Sequence, residues 1–271
     1  MTRIAAVQHD IVWEDRDVNF TRLAPLVAGA VGLGAEIVLL TETFSTGFSM
    51  TPGIGEPEDG PSADFLRAQA VRHGVWVGGS CPEVAPGHDL PFNSFVLAGP
   101  DGTTHRYRKL HTFTNAGEHA RFRAGEGPVT VEIAGLRVTP FVCYDLRFAD
   151  VFWTAAPHTD VYLVPANWPS PRRLHWQTLL QARAIENQAY VVGCNRVGTA
   201  GDGTEHVGDS RIVSPTGELL ATAAGVETVL LADVDAGEVA ATRDRFRFMA
   251  DRRADPAARG PRPSPGAGCP A

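Results

Sequence analysis

The stretch TPFVCYDLRFADVFW, Thr139–Trp153, places a cysteine where a hydrophobic run stops and an amphipathic, charged stretch begins. The spacing predicts a strand over Leu136–Val142 and a helix over Phe148–Ala155. The same strand-then-helix pattern recurs outward in both directions. Strands are expected at Ile4–Gln8, Ile37–Thr41, Val75–Ser80, Ser94–Ala98, Thr103–Tyr107, Val161–Pro165, Tyr190–Asn195, Ser210–Ser214 and Thr228–Val234. Several of these, such as VYLVP and YVVG, are apolar along their whole length, as strands covered on both faces must be. Helices are expected at Val18–Val31, Ala63–His73, Arg173–Glu186 and Ala236–Met249. The chain therefore reads as a layered α/β sandwich in one domain over residues 1–250, with no internal linker. The end, residues 251–271, is rich in Pro, Gly, Ala and Arg and is expected to be a disordered tail.

Composition narrows the classes of function. The 271 residues are 44% hydrophobic and 20% charged, enough to bury a core without covalent staples. A net charge of −7 argues against a nucleic-acid or anionic-membrane binder. No apolar run approaches a membrane span, and the N-terminus is too polar for a signal peptide. Cys81, Cys143, Cys194 and Cys269 lie far apart with no C-x-x-C pair. They are expected to be reduced thiols of a cytoplasmic protein, with no zinc site.

Three polar residues share one position in the pattern. Glu42 follows the apolar run of AEIVLLTETF, Lys109 ends the run of HRYRKLHTF, and Cys143 ends that of VTPFVCYDLRF. Layered α/β folds build sites at the carboxyl ends of strands. A thiol of pKa near 8.5 is mostly protonated at neutral pH; a nearby Lys would favour the thiolate and a nearby Glu could take its proton. The same Lys and the backbone N–H of Tyr144 could then donate to an oxyanion, with no metal or cofactor required. Taken singly, each residue has a plainer reading: core filler for Cys143, a cap or surface charge for Glu42, a solvated Lys109. Spacing alone does not bring the three together.

A family resemblance does. TETF, YRKLHTF and VCYDLRF, followed by NWPSPRRLHWQTLLQARAIENQAYVVGCNRVG (Asn167–Gly198) and HVGDSRIVSPTGE (His206–Glu218), resemble the nitrilase superfamily of carbon–nitrogen hydrolases over about residues 4–235. The resemblance implies a Glu42–Lys109–Cys143 triad, a supporting Glu118 in AGEHARFRAGEG, and a four-layer αββα sandwich that forms a homodimer or larger homo-oligomer. CYDLRF with NWP and ARAIENQAYV is most similar to the bacterial omega-amidases, which hydrolyse the terminal amide of short 2-oxo acids such as 2-oxoglutaramate. The sequence departs from the family pattern at Thr41, where proline is common, at Thr112, where an apolar residue is usual, and at its C-terminal end.

A substrate of that kind carries a distal carboxylate, for which Arg147 is the candidate partner. Its plainer reading is a structural pair with Asp145. Phe44, Phe113 and Trp168 are candidate pocket walls, and Trp176 is expected in the core. Alternative readings are another branch of the superfamily (nitrilase, N-carbamoyl amino-acid hydrolase or deaminated-glutathione amidase), a Cys–His hydrolase using His111 or His175, and a non-catalytic binding protein on this fold. A cysteine phosphatase needs C-x5-R, whereas Cys143 and Arg147 stand at C-x3-R.

Overall fold

A computed structural model of the chain describes residues 1–252. Two seven-stranded sheets form its centre. The first takes β1 (Thr2–Gln8), β2 (Ile37–Leu39), β3 (Glu56–Pro57), β4 (Trp76–Val84), β5 (Phe92–Ala98), β6 (Thr104–Arg108) and, from late in the chain, β14 (Thr228–Val234). The second takes β7 (Val131–Ile133), β8 (Leu136–Pro140), β9 (Val161–Ala166), β10 (Tyr190–Asn195), β11 (Val197–Thr199), β12 (Glu205–Val213) and β13 (Leu219–Ala224). Strand orders are β14-β1-β2-β4-β5-β6, with β3 beside β4, and β11-β12-β10-β9-β8-β7, with β13 beside β12. Helices α1 (Arg16–Gly32) and α2 (Pro61–His73) cover the first sheet. Helices α3 (Ala149–Ala155), α4 (Arg173–Asn187) and α5 (Ala236–Arg245) lie with the second, completing the expected four-layer αββα sandwich.

Strand alternation explains the layering. On β1, Ile4 and Ala6 enter the core between the sheets, while Ala5 and Val7 enter the core under α1 and α2. Both faces are buried, which is why the run carries no polar alternation. Local signals set the helix ends. The Asp15 carboxylate caps α1 by accepting from Val18 N–H at 3.1 Å. Pro61 opens α2, and Gly74 closes it in the left-handed conformation at φ +69°.

Some expectations change. The strand through Thr139 ends at Pro140 rather than Val142, and Cys143–Arg147 form a 3₁₀ turn before α3. The Val142 N–H turns away from the sheet to the Asp145 side chain, at 3.0 Å, which ends the ladder there. The last helix stops at Arg245, because Phe246 is extended and a separate turn, Arg247–Met249, follows. Strands β3, β7, β11 and β13 were not anticipated. The first three span two or three residues, and the exposed, alanine-rich β13 lacks the apolar signal of a central strand. Of the expected tail, Asp251 and Arg252 are in the described part, and Arg252 donates to Trp153 O, Glu186 O and Asn187 Oδ1. The expectation for the rest of the tail, with Cys269, falls outside the described residues.

Two buried histidines give the fold a pH dependence. His9 and His206 are 2% and 7% exposed, and burial lowers each from the usual 6.5 to about 4. Unfolded histidine takes up a proton near pH 6.5; the folded side chains resist until about 4. Stability is therefore full above pH 6.5 and declines as pH falls towards 4, by roughly 3 kcal/mol per histidine over the window. The urea midpoint should drop between pH 7 and 5. A midpoint constant over that range would contradict the neutral burial of both rings.

Candidate active site

The site sits where strand ends of the two sheets face each other. Glu42 follows β2, Lys109 follows β6, Cys143 follows β8, and Asn167 follows β9. Glu118 opens a 3₁₀ turn, Glu118–Ala120, and Asn93 lies within β5. Lys109 Nζ donates to Glu42 Oε1 at 3.0 Å and to Glu118 at 3.0 and 2.9 Å. All three charged side chains are fully buried.

Burial of ions is costly unless each lone pair and proton finds a partner. Here nearly all do. Asn93 Nδ2 donates to Glu42 Oε1 at 2.9 Å and to Glu118 Oε1 at 3.2 Å. Glu42 Oε2 accepts from the Asn167 backbone N–H at 2.8 Å, and Glu118 Oε2 accepts from that of Phe113. Burial opposes the Lys109 charge, but Glu118 and then Glu42 outweigh it and hold the ammonium protonated above its ordinary range. Burial raises the carboxyl of Glu118, against the pull of Lys109.

Cys143 stands at a backbone corner with φ +45°, in the left-handed region that residues with a Cβ avoid. Such a conformation costs on the order of 1–3 kcal/mol and persists only where its surroundings enforce it. They do so here with a reciprocal pair. Asp145 N–H donates to Val142 O at 3.0 Å, while Val142 N–H donates to Asp145 Oδ2 at 3.0 Å. Burial pushes the Cys143 thiol well above its ordinary range; the Glu42 charge and a hydrogen bond to Glu42 add to this, and Lys109 only partly offsets it. The expected thiolate-favouring effect of Lys109 is thus outweighed.

The thiol opens into a cavity of about 630 Å³, within the range of small-molecule sites. Phe113, Tyr144, Arg147 and Trp168 line it, together with Lys109. The Arg147 guanidinium lies 4.7 Å from the Trp168 ring centroid, and its Nη2 is 3.3 Å from His175 Nδ1. It makes no pair with Asp145, which is occupied by Tyr107 and His111. Phe44 is a correction. It is fully buried against Phe20 and Phe65 in the core under α1 and α2 and does not line the cavity. Thr43, at φ +41°, turns the chain after Glu42, so that Phe44 enters the opposite core. Trp176 is in the core, its Nε1–H donating to Asp209 O at 2.8 Å.

Sequence reasoning missed Asn93, Asn167, Phe48 and Arg172. Asn167 was detectable, since it directly follows the apolar run VYLVPA as Glu42 follows IVLL. Asn93 was less so, a polar residue inside a strand. Phe48, whose ring centroid lies 5.1 Å from Lys109 Nζ, carries no local signal. Arg172 lines the cavity with its guanidinium 5.4 Å from the Phe113 ring centroid.

With a thiol and a buried carboxylate–ammonium cluster converging on one cavity, the arrangement is suited to acyl transfer. Comparisons with known proteins agree. The carbon-nitrogen hydrolase family model matches residues 3–244. Omega-amidase YafV of Escherichia coli (strain K12) is 38% identical over 253 residues, covering 93% of this chain and 96% of that one. A 2-oxoglutaramate amidase of Bacillus subtilis (strain 168) is 34% identical, covering 93% and 98%. The crystal structure of XC1258 from Xanthomonas campestris, a CN-hydrolase superfamily protein with an arsenic adduct in its active site, superposes with a TM-score of 0.88 at 36% identity, covering 94% and 98%. The chain belongs to the carbon-nitrogen hydrolase family, enzymes that hydrolyse carbon–nitrogen bonds other than peptide bonds.

Proposed function

We propose that the protein is an omega-amidase that releases ammonia from the terminal amide of short 2-oxo dicarboxylic acid monoamides, 2-oxoglutaramate among them. The observation that carries this reading is the buried Glu42–Lys109–Glu118 cluster beside the cavity that Lys109 and Cys143 line. The relatives' names supply the substrate class.

In this mechanism Glu42 takes the Cys143 proton as sulfur forms a bond to the amide carbon. The carbonyl oxygen becomes an oxyanion held by Lys109 Nζ and the Tyr144 N–H. Glu42 returns its proton to the nitrogen, the C–N bond breaks, and ammonia leaves a thioester on Cys143. Water then gives a proton to Glu42 and attacks the thioester through a second oxyanion. Its collapse breaks the C–S bond, and the proton on Glu42 restores the thiol. Glu118 fixes the Lys109 ammonium, which therefore donates hydrogen bonds but gives up no proton. Glu42 rather than His111 is the base in this reading, because His111 does not line the cavity into which Cys143 opens and its ring stacks on Phe148.

Arg147 is the partner of the distal carboxylate, supported by its place in the cavity and its lack of an acidic partner among the described residues. Phe113 and Trp168 flank the substrate. Arg147→Met should raise KM for 2-oxoglutaramate by about 30- to 100-fold, as expected for a lost charged hydrogen-bond pair, and leave neutral short amides within about threefold. Equal losses on both substrate types would remove Arg147 from this role.

The protein acts as a cytoplasmic homodimer or larger homo-oligomer in this reading. Two exposed apolar side chains on one side of α4, Leu174 and Ile185 at 70% and 46% exposed, support self-association. The test of the activity is ammonia release over a small panel. 2-Oxoglutaramate should exceed the corresponding nitrile, deaminated glutathione and an N-carbamoyl amino acid in kcat/KM. A preference for any of the last three would replace the reading with another activity of the family.

A further inference from the structure

Asp145 takes no part in the chemistry above, yet it is as heavily hydrogen-bonded as Glu118. It is fully buried and accepts four hydrogen bonds. Oδ2 accepts from Tyr107 OH at 2.7 Å and from Val142 N–H at 3.0 Å. Oδ1 accepts from the His111 backbone N–H at 2.8 Å and, with the ring in the matching tautomer, from His111 Nδ1–H at 2.9 Å.

The donors fall into two groups. Val142 precedes Cys143, and its reciprocal pair with Asp145 closes a ring around Cys143 and Tyr144. Tyr107 and His111 stand two residues before and two after Lys109. One carboxylate thus ties the corner that carries the nucleophile and the Tyr144 N–H to the segment that carries the ammonium. These segments follow strands of different sheets, β8 and β6. Burial and the Asp145 charge raise the Tyr107 phenol well above its ordinary range, so it stays a donor.

We infer that Asp145, with Tyr107 and His111, is a positioning residue that holds the two oxyanion donors, Lys109 Nζ and the Tyr144 N–H, at a fixed separation across the two sheets. This rests on the amidase reading for what the donors stabilise. An oxyanion exists only along the reaction path, so misplacing its donors lowers kcat and leaves substrate binding nearly untouched. Asp145→Asn puts an N–H2 where an oxygen now accepts, so one donor group loses its acceptor in either amide orientation. Tyr107→Phe removes one donor to Asp145 and the acceptor of the Leu110 N–H at 3.3 Å, both ties of the Lys109 segment. It keeps the ring, which packs edge-on against Phe141 at 5.6 Å.

The test measures kcat and KM for 2-oxoglutaramate and for a p-nitrophenyl ester, each per titratable Cys143 thiol. Asp145→Asn should lower kcat about 100-fold and Tyr107→Phe about 10-fold, with KM within about threefold, on both substrates. Normalising to reactive thiol removes any loss from misfolding, and Tyr107→Phe decides the matter alone if Asp145→Asn does not fold. An unchanged kcat per thiol in Tyr107→Phe, or a loss confined to KM, would overturn the inference. The ester needs the oxyanion donors but no amide recognition. If the native protein hydrolyses the ester and no amide, the amidase reading fails while the role of Asp145 is still judged.

Discussion

Cys143→Ala should lower kcat/KM for 2-oxoglutaramate by at least about 10⁴-fold, or 5 kcal/mol of lost transition-state stabilisation, with unchanged melting temperature. The loss is this large because the sulfur is the only protein atom that bonds to the acyl carbon in the proposed path. Glu42, Lys109 and the cavity walls survive the substitution and still bind the amide, but hydroxide or water would have to attack unaided. Stability is spared for two reasons. The side chain is small, and the Val142–Asp145 hydrogen bonds that hold the corner do not involve it. Burial of the thiol has a signature in the native protein. Because the thiol is held above its ordinary range, alkylation of Cys143 by iodoacetamide should keep rising with pH past 9 rather than level off near neutrality. A plateau below pH 8 would mean a resting thiolate and would remove the need for a base.

Glu42→Gln carries the second large effect, an expected fall in kcat of about 10³-fold, within the range for a positioned general base. Glutamine keeps the shape and, with its oxygen at Oε1, the acceptor for Lys109 and Asn93. It gives up only the acceptor of the Asn167 N–H, and Glu118 remains to balance the ammonium at 2.9 Å. The fold therefore has no uncompensated buried charge. Lys109→Met is the poorer experiment, since it leaves two buried carboxylates without their cation and costs stability as well as rate. Thermal melting together with kcat separates the two cases. A Glu42→Gln protein that melts like the native one yet turns over at more than a tenth of its rate would show that another group takes the thiol proton.

Glu42 and Cys143 stand out at the ends of apolar runs and Lys109 at the end of a strand-like run, but it took the family resemblance to join the three. What the sequence could not supply was backbone direction. Phe44 looked like a wall because it is aromatic and close to Glu42, but the left-handed Thr43 reverses the side it faces. Arg147 was weighed against a pair with Asp145, and the 3₁₀ turn separates them by sending Asp145 inward and Arg147 to the cavity. Arg172 and Phe48 reach the cavity from loops whose sequence has no period to read. The sandwich itself was clear from long apolar strands. Short strands such as β7 and β11 depend on pairing with β8 and β12, and no window of the sequence contains that information.

The most direct measurement is mass analysis of the Cys143 peptide from native protein mixed with excess 2-oxoglutaramate and quenched in acid across the first turnover. The account predicts an acyl group on Cys143, removable by hydroxylamine, that forms as the first equivalent of ammonia is released. Release of that ammonia with Cys143 unmodified at every time point would contradict it.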